Sequence, residues 1–94
     1  MYTHYNWENA VGQGWKHLVQ PLIELCRQHD VAILQVKEKF GGLRFYTGPA
    51  PDEVYRAIDN AEEESLRTCE MCGRPGTLMG RGWFKTRCQE HKDE

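Results

Sequence analysis

Cys69-Glu70-Met71-Cys72-Gly73 and Cys88-Gln89-Glu90-His91 are the stretches that decide the fold of this chain. Their spacing, Cys-x2-Cys-x15-Cys-x2-His, lies in the range of paired-knuckle zinc sites. Two residues between ligands let the chain turn back so that both side chains reach one ion at about 2.3 Å. Gly73 relieves the turn after the second ligand. The spacing therefore predicts one structural Zn²⁺ held by Cys69, Cys72, Cys88 and His91, with no open position for catalysis.

Two other uses of the cysteines fit the sequence less well. A disulfide-bonded secreted domain is disfavoured because the N-terminal residues lack the basic start and apolar stretch of a signal peptide. A redox Cys-x2-Cys motif opens a helix, whereas residues 73–76, Gly-Arg-Pro-Gly, cannot continue as one. His4, His17 and His29 match no ligand pattern, and Cys26 lies on the apolar stripe of a predicted helix, as a small buried hydrophobe would.

Length and composition limit the remaining possibilities. The chain has 94 residues, of which 39% are hydrophobic and 28% charged, and a formal net charge of −2. The ten aromatic residues argue against a disordered chain. So short a chain, however, can bury only a small hydrophobic core. No apolar run approaches the roughly 20 residues that span a bilayer. We expect a cytoplasmic protein without a membrane partner, divided into a core (1–68) and a zinc-binding module (69–94).

Hydrophobic periodicity predicts a helix followed by a β-hairpin. Apolar residues recur at helical spacing from Trp15 to Cys26, and the unbroken stripe favours one bent helix despite Pro21. Trp15, like Trp7, is interpreted as a core anchor. Residues 31–47 alternate as a hairpin whose turn is Gly41-Gly42, with Phe40 paired to Leu43.

This register predicts two different faces of the hairpin. One face is apolar, is expected to cover the first helix, and consists of Leu34, Val36, Phe40, Leu43, Phe45 and Thr47, with Glu38 as a misfit. The other face carries Lys37, Lys39, Arg44 and Tyr46. We interpret this second face as a candidate binding surface, because tyrosine and arginine are favoured at interfaces.

A second helix and a small module complete the prediction. Pro51 suits the first turn of a helix whose narrow inner stripe is Val54, Ile58, Ala61 and Ser65, with residues 62–64, three glutamates, mostly outside. Residues 83–87 are expected to form a short strand that leads to the second ligand pair. The fold class is therefore α+β, with an N-terminal helix, a hairpin, a second helix and a treble-clef-like or zinc-ribbon-like module.

The hairpin string Val36-Lys37-Glu38-Lys39-Phe40-Gly41-Gly42-Leu43-Arg44-Phe45-Tyr46, together with the Cys-x2-Cys-Gly and Cys-x2-His pairs, resembles a set of small uncharacterised proteins of bacteria and their phages. The similarity covers roughly residues 12–91. It implies a prokaryotic or viral source and a cytosolic, metal-binding protein. It implies no substrate.

Three classes of function remain. An enzyme is disfavoured because alternation places Glu38 opposite the hairpin cations, and the chain has no phosphate loop or second carboxylate beside a histidine at metal spacing. A nucleic-acid-binding zinc finger is the alternative reading. It draws on Arg74, Arg81, Lys85 and Arg87 around the zinc site, with Trp83 and Phe84 interleaved, although these aromatics could instead pack the module against the core.

We favour an interaction protein, in a phage setting a modulator of a host protein. Its candidate surface is the hairpin face, extended by Arg74, Arg81 and Trp83. A host or bacterial protein is the expected partner, nucleic acid is the alternative partner, and no small-molecule substrate is expected.

Overall fold

Two α-helices and two antiparallel β-hairpins follow one another in the computed structural model, which describes residues 6–93. The elements are α1 (Lys16–Gln28), β1 (Ile33–Lys39), β2 (Gly42–Thr47), α2 (Asp52–Ser65), β3 (Thr77–Met79) and β4 (Lys85–Arg87). The predicted α+β class and the order of helix, hairpin, helix and C-terminal module are confirmed. No helix in the described range is long and apolar enough to cross a membrane.

Helix α1 continues through Pro21, as the unbroken apolar stripe predicts. Val19, Leu22 and Cys26 on its inner face are buried. Trp15 stands at the N-cap of α1 and has no exposed surface, and its indole Nε1–H donates to the Thr68 carbonyl at 2.8 Å. A buried indole needs such an acceptor, so this bond fixes the start of α1 against the segment that follows α2.

The turn between β1 and β2 differs from the predicted one. Lys39 pairs with Gly42, so the turn residues are Phe40 and Gly41, with φ of 56° and 82°. The Glu38 carboxylate accepts the Gly41 N–H at 2.8 Å, which accounts for a charged residue on the apolar face. On the far side, the Thr86 hydroxyl donates to the Gly41 carbonyl at 2.7 Å. A contact remote in sequence therefore helps to set the turn, which local sequence alone does not show.

Compared with the predicted register, each β1 residue from Gln35 onward pairs with a β2 residue two positions earlier in the chain. Because side chains alternate with a period of two, each of these residues stays on its predicted face. Val36, Leu43 and Phe45 are buried as predicted. Leu34 and Phe40 are not: their side chains are 62% and 61% exposed. The pairing is irregular between Ile33 and Gln35, which takes Leu34 out of the apolar face, and Phe40 lies in the turn.

The hairpin packs mainly on α2, and not on α1 as expected. Strand β2 forms one edge of a two-stranded sheet, so alternate N–H groups face away from β1. Ser65 Oγ accepts the Leu43 N–H and Glu62 Oε2 accepts the Phe45 N–H, both at 2.9 Å. Glu62 is thus half-buried, while Glu63 and Glu64 are exposed, so the acidic run lies mostly outside as predicted. Val54, Ile58, Ala61 and Ser65 form the buried stripe.

The C-terminal segment is joined to the N-terminal half by close backbone contact. The Gly14 N–H donates to the Glu70 carbonyl at 2.9 Å. A Cβ atom at Gly14 would lie 1.9 Å from the Cys69 carbonyl oxygen, so only glycine allows this approach. The predicted strand over 83–87 is shorter than expected, and Trp83 precedes it in a bend. The division at residues 68 and 69 stays a prediction.

Candidate metal centre

Two tight turns present the four predicted ligands. Cys69 and Cys72 flank the turn between α2 and β3, where the Gly73 N–H donates to the Cys69 carbonyl at 2.9 Å. Gly73 has a φ of 84°, a value that favours glycine over residues with a Cβ atom. Cys88 and His91 follow β4 in a second turn, closed by a hydrogen bond of 3.1 Å from the His91 N–H to the Cys88 carbonyl. The β3–β4 hairpin brings the two turns together.

The ligand atoms have the separations that a single ion requires. All four lie within 4.8 Å of one another. Cys72 Sγ is 3.6 Å from Cys88 Sγ, and His91 Nδ1 is 3.2 Å from Cys88 Sγ and 3.7 Å from Cys69 Sγ. Atoms about 2.3 Å from a central ion, at the corners of a tetrahedron, are about 3.8 Å apart. The cysteines are unbridged thiols, and the four side chains could hold one metal ion.

Backbone amides favour the thiolate form of Cys69. Burial raises the pKa of its thiol, but backbone N–H donors from Cys88, Met71 and Cys72 and a hydrogen bond with His91 lower this pKa to about 6. Donors two and three residues beyond a cysteine are what a tight Cys-x2-Cys turn supplies. A thiolate is the form that ligates a metal, so the first turn is prepared for coordination.

Mutual contacts also shift the pKa values of the other three ligands. Burial raises the pKa of Cys88, but hydrogen bonds with Cys72 and His91 and from the Glu90 and His91 amides lower it overall. The Arg74 amide lowers the pKa of Cys72, and burial together with Cys88 and Cys69 outweighs it and raises that pKa. Contact with the Cys88 and Cys69 sulfurs raises the pKa of His91. Sulfurs this close repel one another when ionised, which a divalent cation would relieve.

An ion pair beside the ligands ties the two turns together. The Arg87 guanidinium donates to the Glu70 carboxylate, and their side chains are only 11% and 16% exposed. The Glu70 N–H also donates to the Thr86 carbonyl at 3.1 Å. Arg87 was a candidate for phosphate contact, but its charge is taken up by Glu70, so it serves the module's own structure.

Among the described residues, His29 and Cys26 lie away from the ligand cluster, whereas the His17 ring lies beside the first turn: a Cβ atom at Gly73 would be 3.6 Å from His17 Cε1. His29 Nε2 is 3.3 Å from Glu53 Oε1, at the end of α1. His4 falls outside the described residues. Cys26 is buried in the core, and burial raises the pKa of its thiol, in agreement with the prediction of a small buried hydrophobe.

The hairpin brings together the side chains of the predicted basic face. Lys37 lies opposite Arg44 across the strands, and its ammonium stands 5.8 Å from the centre of the Tyr46 ring. Tyr46 and Lys39 are exposed, while Lys37 and Arg44 are half-buried. The guanidinium of Arg44 donates to its neighbour's carbonyl, at Leu43, at 3.2 Å.

The other three surface candidates lie on the C-terminal module. Arg74 is in an exposed ion pair with Glu90 at 2.7 Å. Arg81 is exposed, and Trp83 is 82% exposed. Trp83 therefore does not pack the module against the core, which was the alternative reading of this residue.

Sequence reasoning missed one surface feature, a groove of about 320 Å³ between the two hairpin tips. We call it the tip groove; its lining residues are Glu38, Lys39, Phe40, Gly82, Trp83 and Phe84. The rings of Phe40 and Phe84 meet edge to face with their centres 6.5 Å apart. In the sequence, the groove is indicated only by Phe40, an aromatic residue directly before Gly41-Gly42, which the alternation pattern places on the apolar face.

A metal held by four protein side chains has no coordination position left for a substrate or an activated water. No family model, curated protein or solved structure matches this chain.

Proposed function

We propose that Cys69, Cys72, Cys88 and His91 bind one Zn²⁺ with a structural role. The separations of their ligand atoms carry this proposal: three of them are 3.2, 3.6 and 3.7 Å, close to the edge of a tetrahedron around one ion, and none exceeds 4.8 Å. Three thiolates and an imidazole are a donor set that zinc prefers, and zinc needs neither redox change nor a further ligand there.

The module around the ion is of the zinc-ribbon type. Each ligand pair lies in a tight turn, and the β3–β4 hairpin connects them. A treble clef has a helix that begins at its second ligand pair, whereas residues 89–93 form turns. Of the two module types that the spacing predicts, the ribbon is therefore the better supported.

The function that we propose is a non-catalytic interaction module. An ion whose coordination positions are all filled by protein contributes to folding stability but does not catalyse a reaction. A core as small as this one needs such an additional source of stability. The β1–β2 hairpin offers Lys37, Lys39, Arg44 and Tyr46 on one face. The proposed partner is a bacterial or host protein in the cytoplasm, the setting that the resemblance to bacterial and phage proteins implies, with modulation of a host protein as the role in a phage.

Nucleic acid is the second candidate partner, favoured by the exposure of Trp83 beside Arg81. Such binding would show as retention on a single-stranded DNA column that weakens steeply with salt. Exchange of Lys37, Lys39 and Arg44 for alanine together should then abolish retention. Retention that persists in this triple variant would remove the hairpin face from the nucleic-acid interface.

Elemental analysis of the purified chain tests the proposed metal. We expect one zinc ion per chain and a fall in melting temperature when a chelator removes it, because binding free energy of a structural metal is folding free energy. A chain that is metal-free and fully folded, or whose C-terminal thiols are cross-linked, would overturn the proposal.

Capture from a bacterial host lysate tests the proposed surface. A specific partner should be recovered by the natural chain and lost when Arg44 or Tyr46 is changed to alanine. Arg56→Ala is the matched control, since Arg56 is an exposed arginine on α2 and does not belong to the hairpin face. Equal loss in the control would point to non-specific charge attraction.

A further inference from the structure

We propose that the tip groove docks an acidic protein segment that inserts one large apolar side chain. This inference rests on the proposed interaction function and assigns it a second surface, which shares Lys39 with the hairpin face. The groove lies where the turn of the first hairpin meets the loop between β3 and β4. Its volume of about 320 Å³ is at the lower end of the range of ligand pockets, which suits a side chain and its neighbours.

Phe40 is the strongest sign that the groove has a function. It is 61% exposed and has a φ of 56°, a left-handed conformation that residues with a Cβ atom rarely adopt. A turn of this kind favours asparagine or aspartate before glycine. Phe40 thus gains little burial and carries backbone strain, and strain of this sort is concentrated at functional sites.

The opposite wall is also aromatic, and the backbone holds it in place. Trp83 is 82% exposed, and Phe84 contacts the Phe40 ring edge to face. Gly80 has a φ of 123°, and a Cβ atom there would lie 2.0 Å from the Trp83 carbonyl oxygen. The loop therefore takes a shape that only glycine permits, and it presents the indole to solvent. Exposed aromatic walls of this kind form binding hot spots.

Charge selects the partner. The Lys39 ammonium stands 5.5 Å from the centre of the Phe40 ring, and Arg81 is exposed next to Gly82. The one carboxylate in the lining, that of Glu38, accepts a hydrogen bond from the Gly41 N–H. Lys39 in the lining, together with exposed Arg81 next to Gly82 in sequence, favours a segment that carries carboxylates.

A protein segment suits the groove better than a nucleic-acid strand does. Single-stranded nucleic acid needs a row of cations that follows its phosphates. In the described part of the C-terminal module, Arg74 and Arg87 are neutralised by Glu90 and Glu70. A short aromatic groove with Lys39 in its lining, and Arg81 next to Gly82 in sequence, fits one anchoring side chain flanked by carboxylates.

The test is selection from a random peptide library against the full, zinc-loaded chain, with oligo-dT as a second probe. We expect enriched peptides to combine Asp or Glu with one Trp, Phe or Leu. Binding should shift the emission of Trp83 to shorter wavelength, because docking removes its indole from water. No enrichment, enrichment of basic peptides, or tighter binding of oligo-dT through Trp83 would each overturn the proposal.

Two variants separate binding from folding. Phe40→Asn suits the positive φ, so the melting temperature should hold or rise while peptide affinity falls at least about tenfold. Leu34→Ala is the matched control, because it removes an equally exposed apolar side chain from the same hairpin, and it should leave affinity unchanged. Unchanged affinity in Phe40→Asn would overturn the groove as the binding site.

Zinc content, measured on the same samples, keeps the two proposals apart. A zinc-loaded chain that enriches no peptide would remove the tip groove and leave the metal proposal standing. A folded chain without zinc that binds acidic peptides through Phe40 would do the reverse.

Discussion

At the scale of single residues, the candidate ligands were predictable and their surroundings were not. Ligand spacing in a zinc knuckle is a local property, so Cys69 and Cys72 could be paired from sequence alone. Bringing in Cys88 and His91 needed only the assumption of a return strand, and the structure brings all four together. The Glu70–Arg87 ion pair joins the first turn to the end of β4, and no local pattern marks it.

Loss of a ligand cysteine should lower the zinc content, whereas loss of Cys26, which lies outside the cluster, should not. In Cys72→Ser we expect zinc content to fall well below one ion per chain and the melting temperature to drop, since a hydroxyl is a poor replacement for a thiolate. Elemental analysis and thermal unfolding measure both. Cys26→Ala is the control: it changes a buried thiol outside the cluster and should keep its full zinc content. Equal zinc loss in both variants would contradict the assignment.

Thiol reactivity should divide the four cysteines into two groups. With zinc bound, we expect no rapidly reacting thiol at neutral pH, and after chelation three. The fourth, Cys26, is 1% exposed, and burial raises its pKa, so little thiolate forms and it should react only on unfolding. Titration with an aromatic disulfide reagent counts each group. Rapid reaction of Cys26 in the folded chain would contradict its placement in the core.

At the scale of elements, periodicity predicted the helices and the hairpin faces, but not the turn. Alternation fixes which face a strand residue occupies, and a shift of two positions leaves that face unchanged. The turn itself depends on Glu38 and on Thr86, and the second of these is remote in sequence. The same limit applies to Glu62: its sequence neighbours predict an outer acidic run, but its carboxylate accepts the Phe45 N–H at the free edge of β2.

Removal of the Glu38 carboxylate should weaken the first hairpin. Glu38→Ala deletes the acceptor of the Gly41 N–H, and we expect a loss of about 1 kcal/mol in the free energy of unfolding. Glu38→Gln keeps an acceptor oxygen and should lose less. Denaturant unfolding of the two variants gives the comparison. A loss in Gln as large as that in Ala would mean that the charge, and not the hydrogen bond, is what matters.

At the scale of the whole molecule, the sequence predicted the order of the parts but not how they interlock. Hydrogen bonds join the N-terminal half to the C-terminal segment between Gly14 and Glu70, Trp15 and Thr68, and Gly41 and Thr86. Each bond joins residues more than forty positions apart in the sequence: the separation is 53 for Trp15 and Thr68 and 45 for Gly41 and Thr86. Contacts of this range are tertiary, and a helical or strand pattern does not encode them.

A single methyl group should report on this interlocking. Gly14→Ala would place a Cβ atom 1.9 Å from the Cys69 carbonyl and 2.8 Å from the Cys72 amide nitrogen, so we expect lower thermal stability and weaker zinc retention together. Gly48→Ala is the matched control, because its nearest neighbour, the Ala32 Cβ atom, would lie at 3.8 Å, an ordinary contact. Zinc retention against a competing chelator, with thermal unfolding, measures both effects. Normal zinc retention in Gly14→Ala would show that the two regions are independent.

The bond from the Trp15 indole to the Thr68 carbonyl has a consequence for synthesis on the ribosome. Its donor leaves the exit tunnel long before its acceptor, and the last ligand, His91, follows later still. The indole must stay unburied, or be transiently covered by other apolar groups, until Thr68 has left the tunnel. The start of α1 is therefore fixed in place only once a residue 53 positions later in the chain has emerged.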